Sequence, residues 1–180
     1  TWGTLIDYFG GRRDLKKKVL KVLHNLSFVE DPTRVIRGIR LEQRLGFRME
    51  DNTLRLLKSC LRGGLLSRLS GFRLRSELEL LFQEKAPYPG MKRMAELGAW
   101  DILFPGIRIG NVVIRTFRRL SAFLIRISRE FPDFKGAEWL AFLAALVMES
   151  SESLQFSVLD RLNLSPKERE IMEESLQGLR

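Results

Sequence analysis

The sequence is poor in the residues that build several classes of site. It holds one cysteine, Cys60, so no disulfide framework within the chain and no cysteine-rich zinc site is possible. It holds one histidine, His24, which excludes chemistry that needs two imidazoles. Long apolar runs are missing as well. The longest, "WLAFLAALVM" (139–148), is too short to span a bilayer and reads as a buried helix. No secretory signal opens the chain, and no tandem repeat or low-complexity tract interrupts it. These features fit a cytoplasmic location with no membrane association.

What is present is apolar mass and positive charge. The 180 residues are 44% hydrophobic, enough for a packed core in one moderate domain or two small ones. The formal net charge of +9 favours polyanionic partners, nucleic acid first and an anionic membrane surface second. An inert basic surface accounts for the charge equally well.

Helical patterning dominates. "TWGTLIDYFGG" (1–11) is the exception, β-prone and ending in a Gly-Gly turn, and Asp14 is placed to cap the short basic turn after it. "VLKVLHNLSF" reads as a strand or a connection. Helices are expected over 31–45, in "MEDNTLRLLKSCL", in "FRLRSELELLFQEK" with Leu74, Leu78 and Leu81 on one face, and in the segments beyond residue 110. "LLSRLS" reads as a short helical turn, and "PYPG" (87–90) as a break. Ser165 and Glu168 have capping-box spacing. The fold expected is all-α, and a boundary is expected near residues 104–110.

One segment carries an unusual charge pattern. "SFVEDPTRVIRGIRLEQRLGF" (27–47) begins with two acids and a proline and then places Arg34, Arg37, Arg40 and Arg44 at helical intervals. At about 100° per residue, Val35, Ile36 and Ile39 fall on one side and Arg37, Arg40 and Arg44 opposite. Asp31, Arg34 and Gly38 share a third stripe. Ionised Asp only accepts hydrogen bonds, whereas Arg presents a planar fork of donors. Side by side they form a mixed edge that can pair with the rim of a nucleobase. Gly38 lets a flat ring approach, and Arg37 and Arg40 suit phosphate. A plainer reading fits the same residues. Asp31 is then an N-cap, Glu30 favours the helix dipole, Arg34 pairs with Asp31, and the later arginines form a solvated face.

At these residues the sequence resembles the class II tRNA nucleotidyltransferases (CCA-adding enzymes) and bacterial poly(A) polymerases. "SFVEDPTRVIRGIR" is similar to their acid pair followed by Arg on the first neck helix. "LIDYFGGRRDL" (5–15) is similar to the segment joining head to neck, "SGFRLRSEL" (70–78) to a later neck motif, and "MAELGAWDILFPGI" (94–107) to the stretch closing the neck. The resemblance is good from residue 5 to about 107 and weak beyond. It departs from the family pattern at Gly38, at residues 41–43 and at Phe72.

The resemblance implies a division of labour. Asp31 and Arg34 would be a protein template for incoming CTP or ATP, with Arg37 and Arg40 contacting the nucleotide or supporting that template. Glu30, Arg73 and Glu77 would support it, the last two from the neighbouring neck helix. Asp7, Gly10, Gly11 and Asp14 would form the hinge to a head domain. The domains expected are residues 1–13 (the end of that head, with at most a short strand remnant, and the hinge), 14–106 (neck) and 107–180 (helical body). Expected partners are the 3′ end of tRNA or another RNA, CTP or ATP, and a head segment of the same polypeptide. The chain opens on Thr1 rather than Met, as expected of a piece of a longer protein. No metal or other cofactor is expected on the chain itself. Magnesium is expected on the head's carboxylates, so the chain alone is expected to be inactive. A non-catalytic helical RNA-binding module and a protein-interaction domain are the alternatives.

Overall fold

Val35, Ile36 and Ile39 have no exposed surface, and the helix carrying them, α3 (Thr33–Leu45), is the element on which the molecule is arranged. Three fully buried aliphatic side chains stabilise this placement by roughly 1.5–3 kcal/mol each. Gly46 ends α3 with a left-handed φ of 62°, a conformation that costs glycine nothing.

The computed structural model describes residues 3, 5–131 and 138–178. Before α3 come α1 (Gly11–Lys17), strand β1 (Val19–Leu20) and the short α2 (Ser27–Glu30). After it come strand β2 (Arg48–Met49), α4 (Asp51–Arg62), a 3₁₀ turn (Leu65–Arg68), α5 (Gly71–Phe82), α6 (Tyr88–Glu96) and α7 (Ala99–Leu103). The remainder is α8 (Asn111–Glu130), α9 (Glu138–Val147), α10 (Glu152–Arg161) and α11 (Pro166–Gly178). The fold is all-α. Its two strands pair in parallel, with Val19 opposite Arg48 and Leu20 opposite Met49.

Helix α3 packs against α5 and α6, and α8 packs against α9 and α6. Phe82, Phe117 and Phe142, from α5, α8 and α9, meet with ring centroids 4.9–5.8 Å apart. Buried residues from Phe28 to Leu176 form one continuous cluster. A polar clamp joins the same elements. Arg75 of α5 donates bidentately to Glu168 of α11 at 2.5 and 2.8 Å, reaches Glu79, and lies over the Trp139 ring. Glu168 also accepts from the Ser165 amide and hydroxyl, closing the capping box expected there.

Several local expectations need correction. Asp7, not Asp14, caps α1: its carboxylate accepts from the Gly11 and Arg12 amides at 2.8 and 2.9 Å. Asp14 lies inside that helix. Residues 5–10 form no strand, because turn and cap geometry takes their backbone; the strands lie at Val19–Leu20 and Arg48–Met49. Thr1, Trp2 and Thr4 of that stretch lie outside the described residues. "PYPG" opens α6 instead of breaking the chain, since a proline suits a first helical turn, where its missing N–H has no partner to lose. Helix α3 starts at Thr33, one residue after the Pro32 start that an Asp31 N-cap implies, with Pro32 at the N-cap and Asp31 extended between α2 and α3.

Candidate functional site

Asp31 sits where α2 meets α3, and its carboxylate is held from two sides. Oδ1 accepts from the Thr33 amide at 3.1 Å, the Thr33 hydroxyl at 2.5 Å and Arg73 Nη2 at 2.6 Å. Arg73 belongs to the first turn of α5, so the bond ties two helices together. Oδ2 faces Arg34, whose Nε lies 3.9 Å away. Partial burial pushes the Asp31 carboxyl up. The Thr33 hydrogen bonds and the charges of Arg73 and Arg34 outweigh that, holding it below the ordinary value of 3.8.

The Arg34 fork is oriented as well. Its Nη1 donates to the Ser27 carbonyl at 3.2 Å and lies 3.9 Å from Glu30. A half-exposed guanidinium anchored at one nitrogen keeps its other donors for a ligand. Glu30 also contacts His24 at 3.4 Å.

The next arginines turn toward α5 and its C-terminal end. Arg37 donates through Nε and Nη2 to Oε1 of Glu77 at 3.1 and 2.5 Å. Glu77 is 5% exposed in its side chain, and this hydrogen bond keeps the Arg37 guanidinium firmly charged. Arg40 donates to Glu84 at 2.8 Å, and Arg44 approaches the same carboxylate. Arg40 is largely buried, so it is not part of a solvated face. The pairs Asp31–Arg73, Arg37–Glu77 and Arg40–Glu84 advance together along the two helices.

Beside this row lies a cleft of about 330 Å³. Arg34 and Arg37 line it together with Gly38, Leu20, Val22, Phe28, Leu41 and Met49. The apolar walls and two guanidinium groups suit a flat ring with a polar edge. At Gly38 a Cβ would meet only the end of the Met49 side chain, at 3.3 Å. The β1–β2 pair forms one wall, fixed by a hydrogen bond from the Val22 amide to the Thr53 hydroxyl at 3.1 Å.

The residues expected at a hinge, Asp7, Gly10, Gly11 and Asp14, do not line this cleft. Asp7 caps the turn containing Gly10 and Gly11, and Asp14 lies 4.0 Å from Arg13. Three contributors to the main site escaped the sequence reading: Thr33, the Ser27 carbonyl and Glu84. Glu84 had a partial signal, since it follows Glu77 by seven residues as Arg44 follows Arg37, but its closer partner Arg40 does not fit that spacing. A backbone carbonyl leaves no such signal.

No helix among the described residues is long and apolar enough to cross a membrane. Nor do three His, Cys, Asp or Glu side chains gather there as a metal site requires.

The chain is similar to known proteins over nearly its whole length. Residues 46–109 match the family described as the probable RNA and SrmB-binding site of polymerase A. The chain is 37% identical over 169 residues to an A-adding tRNA nucleotidyltransferase of Geobacter sulfurreducens, covering 94% of this chain and 19% of that protein. It is 49% identical over 83 residues to the Aquifex aeolicus enzyme of the same name, covering 46% of this chain and 10% of that one. Among solved structures, the Thermotoga maritima CCA-adding enzyme complexed with tRNA matches at a TM-score of 0.79 and 36% identity, over 96% of this chain and 42% of that one. The chain thus spans about a fifth of the first relative and less than half of that structure. With a match at residues 46–109 and a likeness extending over nearly its whole length, the chain belongs to the family of tRNA nucleotidyltransferases and bacterial poly(A) polymerases and corresponds to part of those proteins.

Proposed function

We propose that this chain selects the incoming nucleotide, CTP or ATP, and holds RNA for untemplated addition at a 3′ end. The observation that carries the reading is Arg34 on the wall of the cleft with Asp31, not itself a lining residue, next to it: one donor fork and one acceptor, 3.9 Å apart, each oriented by neighbours. Cytosine and adenine share an exocyclic amino donor next to a ring-nitrogen acceptor. Guanine and uracil present the reverse, a carbonyl next to an N–H. Asp31 Oδ2 accepts from the amino group and Arg34 donates to the ring nitrogen, so the first two bases are matched. The other two set donor against donor and acceptor against acceptor, which costs about 1–3 kcal/mol where the bound base shields them from water.

In this reading Arg73 and Glu77 are positioning residues. Arg73 fixes Asp31, and Glu77 fixes Arg37 on the rim of the cleft. Asp7, Gly10, Gly11 and Asp14 make the hinge to a head segment of a longer polypeptide. Magnesium belongs to that head, and metal chemistry there would activate the RNA 3′-hydroxyl and stabilise departing pyrophosphate. The domain limits proposed are residues 1–13, 14–106 and 107–180. The names of two relatives, an A-adding tRNA nucleotidyltransferase and a CCA-adding enzyme solved with tRNA, support the substrate class.

Titration of the chain with each of the four ribonucleoside triphosphates tests the reading, followed through the arginine Nε–H resonances. CTP and ATP are expected to shift the Arg34 signal, and GTP and UTP to leave it in place. Equal shifts with all four would contradict selection. RNA binding with no nucleotide response at Arg34 would favour a non-catalytic RNA-binding module.

A further inference from the structure

Two concavities on the other flank of α3 join into one groove. The larger, about 850 Å³, lies between α6 and α8. The smaller, about 380 Å³, lies between the second half of α3 and the α5–α6 connection. Gln43 and Pro89 line both, and neither concavity shares a residue with the cleft at Arg34.

The groove is strongly basic. Seven cationic side chains line it against two carboxylates, Glu84 and Glu96, with the buried Glu42 holding Arg93 from behind at 3.0 Å, and the remaining excess of positive charge selects a polyanion. Glu84 is taken by Arg40 and Arg44, and Glu96 by Lys92 and Arg93. Among the described residues Arg115 has no carboxylate partner, and Arg118 lies with its Cζ 4.7 Å over the Tyr88 ring. Arg115 and Arg118 are one helical turn apart, so they project from the same face of α8. Between them and α6 the floor is apolar, at Ala95, Ile109 and Ile114. Hydrated phosphates alone need no such floor, whereas base rings do.

We infer that this groove is a track for a single RNA strand, with Arg115 and Lys92 on backbone phosphates and the Arg118 guanidinium, carried by Tyr88, as the stacking surface for an unpaired base. Guanidinium planes and aromatic rings are the usual platforms for splayed bases. A protein partner of acidic character would use the charge but not the platform. The inference rests on the RNA-holding reading above and assigns it a surface distinct from the nucleotide cleft. It also extends beyond residues 46–109, since α8 begins at Asn111.

The test is fluorescence anisotropy of a labelled single-stranded RNA of about 12 nucleotides, titrated with the chain over a salt series. The double variant Arg115→Ala/Arg118→Ala is expected to weaken binding roughly tenfold or more and to lower the salt slope by about 1–2. Tyr88→Phe keeps the ring and is expected to bind normally, while Tyr88→Ala weakens binding. Arg126→Ala, on the same helix but paired with Glu130 and outside the groove, is expected to stay within about twofold. Thermal melting confirms that each variant is folded. If the unaltered chain binds RNA and the double variant binds as well, the groove assignment is overturned and the RNA reading stands. If the unaltered chain binds no RNA, both fall. Equal losses of RNA and polyglutamate binding in Tyr88→Ala and in the double variant would overturn RNA as the occupant.

Discussion

Arg73 Nη2 and Asp31 Oδ1 meet at 2.6 Å across 42 residues of sequence, fixing from α5 the carboxylate that precedes α3. The bond leaves Oδ2 as the oxygen facing Arg34. Arg73→Ala is therefore expected to lower CTP and ATP affinity by about tenfold, while costing under about 1 kcal/mol of stability because Arg73 is half exposed. Arg73→Lys keeps the charge without the planar fork and is expected to recover only part of the affinity. Nucleotide titration and thermal melting separate the two effects. A fall in melting temperature that fully accounts for the lost affinity would reduce Arg73 to a structural role.

Glu77 makes a different contribution. It is nearly inaccessible, one of its oxygens receives both Arg37 bonds, and the other has no partner among the described residues. Glu77→Ala leaves Arg37 without its anchor, although Arg37 still reaches water. The expected loss is about 2 kcal/mol, below the roughly 3–5 kcal/mol of a fully buried pair because Arg37 is half exposed, or roughly 4–8 °C in melting temperature. Glu77→Gln keeps volume and acceptor and is expected to lose about half as much. Equal losses in both variants would show that charge, not the hydrogen bond, dominates.

Gly71 opens α5 against the end of α10. A Cβ there would lie 2.3 Å from the Arg161 carbonyl oxygen, a backbone atom that cannot swing away. The same contact is reinforced by Arg161 Nη2 donating to the Ser67 carbonyl at 2.9 Å. Gly71→Ala is expected to destabilise by about 1–3 kcal/mol. Gly178→Ala, with open space around it, is expected to change stability by less than about 0.5 kcal/mol. Chemical denaturation of both variants checks the contrast.

The acid side of the stability curve follows from Asp31 and Glu168. Burial pushes both carboxyls up, but the bonds to Thr33 and Ser165 and the nearby guanidinium groups outweigh it, so both lie below their ordinary values of 3.8 and 4.5 in the folded chain. A carboxyl lowered by folding stabilises fully above its ordinary value. That contribution fades as pH falls through the lower folded value. Melting temperature is expected to hold from about pH 7 to pH 5 and then drop, and Asp31→Asn or Glu168→Gln to flatten the drop. An unchanged acid limb in both variants would contradict this assignment.

The core of α3 was legible because Val35, Ile36 and Ile39 repeat with the helical period, and burial follows that period. Ser165 and Glu168 were legible because a capping box has fixed spacing. The choice between Asp7 and Asp14 was not, since both acids flank the same turn and only the backbone path selects one. "PYPG" misled because proline marks helix starts as well as breaks. At the site, Asp31 and Arg34 stood out by chemistry and Arg73 and Glu77 by resemblance. The Ser27 carbonyl that aims Arg34 is a main-chain group and carries no residue signature.

The central claim is that Arg34 reads the base. Single-nucleotide incorporation into tRNA lacking part of its 3′ end, by this chain joined to a head segment of the proposed kind, tests it most directly when kcat/KM is measured for all four triphosphates with Arg34 and with Arg34→Ala. The account predicts that the unaltered protein prefers CTP or ATP over GTP and UTP, and that folded Arg34→Ala loses at least about tenfold of that preference. A folded Arg34→Ala protein that keeps both its rate and its preference would contradict the account.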